Sequence, residues 1–165
     1  MKRRFEPDLF HKTPPKVYLF DTSAWLNIKN QRKEEDIWAI IYCLAKEGRV
    51  FTCREVVGEL KEDGIYESRL KPIEDALLAG IPNSLDVDYL LKVGKVTHDF
   101  PAMSKAMGEK TPADPYIVAL AMMDDTYIVV ADENMRRKSR KIPGACEKLN
   151  IPCIRLRKFI ADEMK

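Results

Sequence analysis

Four acidic side chains in this 165-residue sequence stand beside segments that read as buried strands, or in helices near them. Asp21 directly follows the apolar run Val17–Phe20, and Asp132 directly follows a later run of the same kind. Asp114 lies in the first turn of a predicted helix, and Glu59 lies about one and a half turns into another. Ligands of parallel sheets bind at the carboxyl ends of the strands. If Glu59 faces inward, all four carboxylates meet at that edge.

Carboxylates gathered at one edge imply a particular chemistry. Close carboxylates repel one another unless a cation neutralises them, and their hard oxygen atoms suit Mg²⁺ or Mn²⁺. Such an ion lowers the pKa of a bound water and stabilises negative charge on a leaving oxygen. The acids predicted to bind the metal and to hydrolyse a phosphodiester bond are Asp21, Glu59, Asp114 and Asp132.

Two further acids compete for places in this site. Asp132 and Glu133 are adjacent, and adjacent side chains at a strand end point to opposite sides, so we expect one of them to face the site. Asp132 is preferred as the first acid after the strand, and Glu133 is the alternative. Glu55 competes with Glu59, but an acid at the start of a helix is explained by the helix dipole alone.

Strands and helices alternate along the sequence, which predicts the scaffold that positions the acids. Short apolar segments read as strands at Val17–Phe20, 49–53, 126–130 and 152–154. The clearest helix covers 34–47, where apolar residues recur at helical spacing and Gly48 closes the segment. Helices alternating with strands rich in Val, Ile and Leu predict an α/β fold, with a parallel sheet covered on both faces.

The middle of the chain, 65–108, contains no segment that reads as a strand. One helix is predicted over 70–79 and another over 85–107, the second interrupted near Gly94 and Pro101 because both residue types weaken helices. The sheet is therefore expected to form from the segments on either side.

Charge is nearly balanced, with 28 Lys and Arg against 26 Asp and Glu and a formal net charge of +2. So small an excess does not by itself indicate nucleic-acid binding. The run RRKSRK at 136–141, directly after the predicted acidic edge, carries five basic residues in six. Two interpretations stay open: it binds the phosphates of an RNA, or it is a solvated surface loop, as most charge runs are.

The sequence disfavours several classes of protein. Its longest apolar stretches fall short of the roughly 18 residues that cross a bilayer, and its start lacks the apolar core of a signal peptide, which predicts a cytoplasmic protein. The four cysteines form no CxxC pair and are predicted to be reduced thiols. The seven glycines include no GxGxxG or GxxxxGK spacing, which disfavours a nucleotide cofactor.

Four sequence blocks resemble those of the PIN-domain family, close to the VapC-like toxins of bacterial and archaeal toxin–antitoxin pairs. They are LFDTS at 19–23, VVGEL at 56–60, ADPYIVALA at 113–121 and IVVADE at 128–133, and they occur in the family's order. KIPGAC at 141–146 and IPCI at 151–154 further resemble an uncharacterised PIN-like subgroup. The resemblance covers the chain from Val17 to its end.

This resemblance implies a PIN-like three-layer α/β/α sandwich with a central parallel sheet of four to five strands. It implies a nuclease domain over 17–165 and an N-terminal extension over 1–16. The positions of the family's metal-binding acids correspond to Asp21, Glu59, Asp114 and Asp132. The activity implied is that of a Mg²⁺- or Mn²⁺-dependent endoribonuclease acting on RNA, with a small antitoxin as partner and a homodimer as assembly.

Two other functions stay open. A PIN-like module that binds without catalysis is one, although the presence of all four acids argues against it. An aspartate-based phosphatase is another, since Asp21 follows the first strand, as the nucleophile does in haloacid dehalogenase-like phosphatases. Those phosphatases have an Asp-x-Asp motif at that point, whereas this sequence has Ser23 at the position of the second Asp. The sequence also departs from the PIN pattern at 129–131, where VVA supplies no hydroxyl before the last acid.

Overall fold

The computed structural model describes residues 14–105, 112–133 and 141–165. In this part of the chain the strands are β1 (Val17–Phe20), β2 (Val50–Phe51), β3 (Tyr127–Val130) and β4 (Cys153–Ile154). The helices are α1 (Thr22–Asn27), α2 (Glu34–Lys46), α3 (Arg54–Leu60), α4 (Glu74–Leu78), α5 (Val87–Asp99), α6 (Asp114–Ala121), α7 (Ile142–Lys148) and α8 (Leu156–Glu163). Of the predicted extension 1–16, all but 14–16 lies outside the described residues.

The strands form one parallel sheet in the order β2-β1-β3-β4. Leu19 of β1 pairs with Phe51 on one side and with Val129 on the other. From β1 the chain moves outward to β2, and then crosses back to β3 and on to β4. The direction of connection therefore reverses between β1 and β3, and such switch points are where open α/β sheets bind their ligands.

Helices cover both faces of the sheet, which gives three layers. On one face, the rings of Tyr18 and Phe20 each meet Phe159 of α8 edge-on, with centroids 4.9 Å apart. Phe20 also packs on Trp25 of α1, whose ring stacks on Trp38 of α2 at 5.9 Å. Right-handed crossovers in opposite directions put α6, which packs against β1 and β3, on the other face. The predicted three-layer α/β/α sandwich is confirmed, with four strands.

The middle of the chain differs in detail from the prediction. The helix predicted over 70–79 is divided into a π turn, Tyr66–Leu70, a 3₁₀ turn, Lys71–Ile73, and α4, because Pro72 has no N–H to donate. The break predicted near Gly94 is wrong: α5 runs through this exposed glycine, whose cost of about 1 kcal/mol in a helix is easily outweighed by packing.

The other predicted break is confirmed. Helix α5 ends at Asp99, and Phe100 before Pro101 takes a non-helical conformation with φ −130° and ψ 63°. The residue before a proline is sterically disfavoured in the helical region, which explains the end. Across the ranges that the structure describes, every helix is too short or too polar to cross a bilayer.

Candidate functional site

Asp21 is the first residue after β1 and the N-cap of α1. Its backbone N–H donates to the carbonyl of Val130 at 3.0 Å, which fixes it beside the end of β3. Its Oδ2 accepts hydrogen bonds from the backbone N–H and the hydroxyl of Ser23, at 3.1 and 2.7 Å. Burial raises the pKa of Asp21, and the two bonds from Ser23 act in the opposite direction.

The second oxygen of Asp21 is the least explained polar atom of this edge. Asp21 is only 2% exposed, and its Oδ1 has no hydrogen-bond partner among the described residues. Helix capping explains why Oδ2 is buried with hydrogen bonds from Ser23, but it does not explain the burial of Oδ1. A buried polar atom without a partner is costly and rare in proteins, so Oδ1 points to a ligand that satisfies it.

Glu59 joins two elements of the site. It faces inward from α3, and its Oε2 accepts a hydrogen bond from the Thr22 hydroxyl at the start of α1. Its Oε1 accepts from the backbone N–H of Ala113, directly before α6, at 3.0 Å. Glu59 thereby fixes the position of Asp114, the next residue.

Asp114 lies in the first turn of α6, with Pro115 beside it. Burial, together with the negative charges of Asp21, Glu133 and Glu59, raises the pKa of Asp114 to about 7, and Lys141 opposes this shift. Burial also raises the pKa of Glu133, and the charge of Asp21 adds to that effect. These carboxylates therefore form one electrostatically coupled group at the switch point between β1 and β3.

The adjacent acids after β3 turn towards different surroundings, as the alternation of a strand requires. The carboxylate of Asp132 accepts hydrogen bonds from Asn27 Nδ2 and from Arg155 Nε, the latter at 3.1 Å. Glu133 instead accepts from the backbone N–H of Ile142 at 3.1 Å, and its charge acts on Asp114. Asp132 as a metal ligand stays a prediction, and Glu133 is the alternative that shares the electrostatics of the site.

The donor set fits a hard divalent cation in chemical type, because it consists of carboxylate oxygens and one of them is buried without a partner. As they stand, no three His, Cys, Asp or Glu side chains within 14–105, 112–133 and 141–165 are grouped to hold a metal ion. Hydrogen bonds from protein donors occupy both carboxylate oxygens of Glu59 and both of Asp132, which explains why these two acids do not join such a group.

Of the basic run 136–141, only Lys141 belongs to the described residues. Lys141 directly precedes α7, and its Nζ lies 3.7 Å from Oε1 of Glu133. It also lines a cavity of about 220 Å³ together with Glu59 and Asp114. The prediction that the run binds RNA phosphates therefore lies outside the described residues except at this lysine.

Sequence reasoning missed two residues that orient carboxylates of the site. Thr22 stands inside the Asp-Thr-Ser segment, which is also typical of a helix cap, so its bond to Glu59 of α3 had no separate signal in the sequence. Asn27 gave no signal, because its partner Asp132 is 105 positions away in sequence. Only the fold brings these two side chains together.

Comparison with known proteins gives a family match without a function. A family model described as a domain of unknown function, DUF4411, matches residues 18–165. No curated protein matches the chain. Function must therefore be argued from the residues themselves.

Proposed function

We propose that this chain, which belongs to the DUF4411 family, is a metal-dependent endoribonuclease that hydrolyses phosphodiester bonds of RNA. The observation that carries the proposal is Oδ1 of Asp21, a buried carboxylate oxygen without a partner among the described residues. It lies at the switch point of the sheet, with Asp114 and Glu133 electrostatically coupled to it. The resemblance of the sequence blocks to PIN-domain ribonucleases supports the same activity.

Each residue of the proposed site has a distinct task. Ser23 holds Asp21 in place, so that Oδ1 is oriented before any ligand arrives. Asp21 and Asp114 would hold Mg²⁺ or Mn²⁺ together with Asp132, as the sequence predicts, or with Glu133, the alternative that shares the electrostatics of the site. Glu59, fixed by Thr22 and Ala113, positions Asp114.

An ion held by these acids would supply a water of lowered pKa and would stabilise negative charge on the leaving oxygen. The protein supplies a partly dehydrated setting for that chemistry, since Asp21 is 2% exposed and Asp114 is half-buried. The proposal extends to a cytoplasmic toxin that a small antitoxin protein inhibits and that forms a homodimer. Light scattering of the purified chain tests the dimer: a dimeric mass supports it, and a monomeric mass at all concentrations removes it.

The experiment that tests the nuclease is cleavage of a mixed pool of structured RNA by the purified protein. Reactions contain Mn²⁺, Mg²⁺ or EDTA, and Asp21→Asn and Asp114→Asn are compared with the wild type. We expect cleavage that depends on the metal and is lost in both variants. Equal cleavage by the wild type and both variants would assign the activity to a contaminant and overturn the proposal.

One observation favours a second candidate, a binding module without catalysis. In the described residues, the acids are not grouped as metal ligands, and hydrogen bonds occupy both oxygens of Glu59 and of Asp132. Titration calorimetry separates the two candidates. Binding of Mn²⁺ that Asp21→Asn removes supports the nuclease, whereas an inactive wild type that binds no divalent ion supports the module.

The aspartate-based phosphatase has less support than either. Its nucleophile must meet a substrate phosphate in line, and Asp21 is 2% exposed. In addition, Ser23 at the second position of the motif donates its hydroxyl to Asp21 and has no acidic group for a proton transfer.

A further inference from the structure

A small cavity opens beside the acidic site, between α3 and the start of α6. Its lining residues are Glu59, Ala102, Met103, Lys105, Pro112, Asp114 and Lys141. Its volume is about 220 Å³. Pockets for drug-sized ligands measure roughly 300 to 1,000 Å³, so this one suits a smaller unit, such as a sugar with one phosphate.

The cavity combines charges of both signs. Glu59 and Asp114 belong to the proposed metal site, whereas Lys105 and Lys141 contribute two basic residues to the same lining. Lys141 lies 3.7 Å from Glu133, beyond hydrogen-bond distance, and its side chain is 46% exposed. An ammonium group has three donors and is a common point-charge ligand of phosphate, so Lys141 retains donors for an anion.

The remaining wall is apolar and belongs to the short 3₁₀ turn Pro101–Met103 and to Pro112. Met103 is buried and anchors the turn, while Ala102 is exposed beside it. A wall of this kind offers contact area to a ribose ring without hydrogen bonds that would select a base. The lining therefore favours a sugar-phosphate unit over a free metal ion or an inorganic anion alone.

We propose that this cavity is the subsite for the sugar-phosphate unit next to the bond that is cut, with Lys105 and Lys141 binding its phosphate. The inference rests on the proposed function, because the subsite belongs to the same RNA strand whose cleavage the acids carry out. It assigns substrate contacts to two lysines that stand 36 positions apart in the sequence.

The test measures RNA binding without requiring catalysis. Fluorescence anisotropy follows a labelled ten-nucleotide single-stranded RNA with the full chain in EDTA, over a series of salt concentrations. Lys105→Ala and Lys141→Ala are each expected to weaken binding about 3- to 10-fold, and to reduce the slope of log K against log salt by about 0.7. Lys105→Arg keeps a phosphate donor and is expected to bind like the wild type.

Lys16→Ala is the matched control, because it removes the same charge beside the start of β1, where Lys16 pairs with Asp162. It is expected to leave binding unchanged. Ala102→Trp fills the cavity without changing charge, and is expected to weaken binding as well. Circular dichroism melting confirms that each variant is folded.

The outcomes separate the subsite from the proposed function. If both lysine variants bind RNA as Lys16→Ala does, or if the wild type binds no RNA, the subsite is wrong, whatever the cleavage assay shows. If the lysine variants weaken binding while no metal supports cleavage, the cavity binds an RNA sugar-phosphate unit, whereas the nuclease proposal fails and with it the placement of that unit beside a cut bond.

Discussion

The two ends of the β-sheet treat their acidic residues in opposite ways. Near the amino end of β1, Asp162 accepts hydrogen bonds from Lys16 and Lys158, which lower its pKa to about 2. Near the carboxyl end, burial and the charge of Asp21 contribute to raising the pKa of Asp114 to about 7. The amino end therefore stabilises the ionised form of Asp162, and the carboxyl end destabilises the ionised form of Asp114.

The difference separates the paired acids of the amino end from the acids of the proposed site. We call the first group the amino edge: Tyr18, Arg49, Asp162 and Glu163 with Lys16 and Lys158. We call the second the carboxyl edge: Asp21, Glu59, Asp114 and Glu133. Paired acids stabilise the fold directly, whereas a buried and mutually repelling group opposes folding until a cation joins it. The raised pKa values of Asp21, Asp114 and Glu133 are of the kind that marks functional sites, which is why the carboxyl edge carries the proposal.

The largest expected effect comes from removing the charge of Asp21. Asp21→Asn is expected to reduce RNA cleavage at least about 100-fold, because even residues that only orient metal ligands contribute about 10- to 100-fold. The steady-state rate with saturating Mn²⁺ measures it. The control is Asp162→Asn at the amino edge, which is expected to retain wild-type cleavage. Equal losses in both variants would mean that the two edges do not differ in function.

The second prediction concerns stability and pH in EDTA. The folded-state pKa of Asp114 is raised from its ordinary 3.8 to about 7, so the folded state binds this proton more tightly than the unfolded state. Stability therefore falls as the pH rises from about 4 to about 7, and the penalty is complete above that range. At pH 8, Asp114→Asn is expected to be more stable than the wild type by on the order of 1 to 3 kcal/mol.

Urea unfolding at pH 5 and pH 8 measures this difference, which is expected to shrink at the lower pH. Adding Mn²⁺ at pH 8 is expected to raise the stability of the wild type but not that of the variant. Asp162→Asn is expected to change stability in the opposite direction. The lowered pKa of Asp162 in the wild type stabilises the fold at pH values above the unfolded-state pKa, and this stabilisation is lost as the pH falls towards 2. A variant at Asp114 that is less stable than the wild type at pH 8 would contradict the comparison.

Local signals predicted most of this arrangement. The continuous apolar runs of β1 and β3 predicted both strands, and therefore the edge on which Asp21 lies. Gly48 predicted the end of α2, and it adopts a φ of +70°, which suits glycine. The sequence alone did not predict the inward orientation of Glu59, which the structure shows in the hydrogen bonds from Thr22 and Ala113.

The choice between Asp132 and Glu133 could not be made from the sequence. Both follow β3, and the period of two predicts that they face different ways without predicting which of them faces the site. Asn27 and Arg155 bind Asp132, and both come from distant segments. Long-range contacts of this kind leave no pattern in a single sequence.

The third prediction tests how Asp21 is oriented. Ser23 donates its hydroxyl to Asp21 at 2.7 Å and accepts the N–H of Asp132 at 2.9 Å, so its hydroxyl connects the ends of β1 and β3. Ser23→Ala is expected to reduce cleavage about 10-fold and to raise the pKa of Asp21 further, moving the pH profile upward. Ser68→Ala, which loses an exposed bond to the Gly64 carbonyl, is the control. An unchanged pH profile would show that Ser23 does not orient the acid.

The smallest expected effect lies at the amino edge. The Tyr18 hydroxyl donates to Oε1 of Glu163 at 2.6 Å, and Arg49 Nη2 donates to the same oxygen at 2.9 Å. Tyr18→Phe removes one bond while Arg49 continues to pair the acid, so the free energy of unfolding is expected to fall by only about 1 kcal/mol. Urea unfolding measures that loss, and cleavage is expected to be unchanged. A loss of cleavage in this variant would show that the paired edge supports the site through the length of β1, and the two edges would then act as one unit.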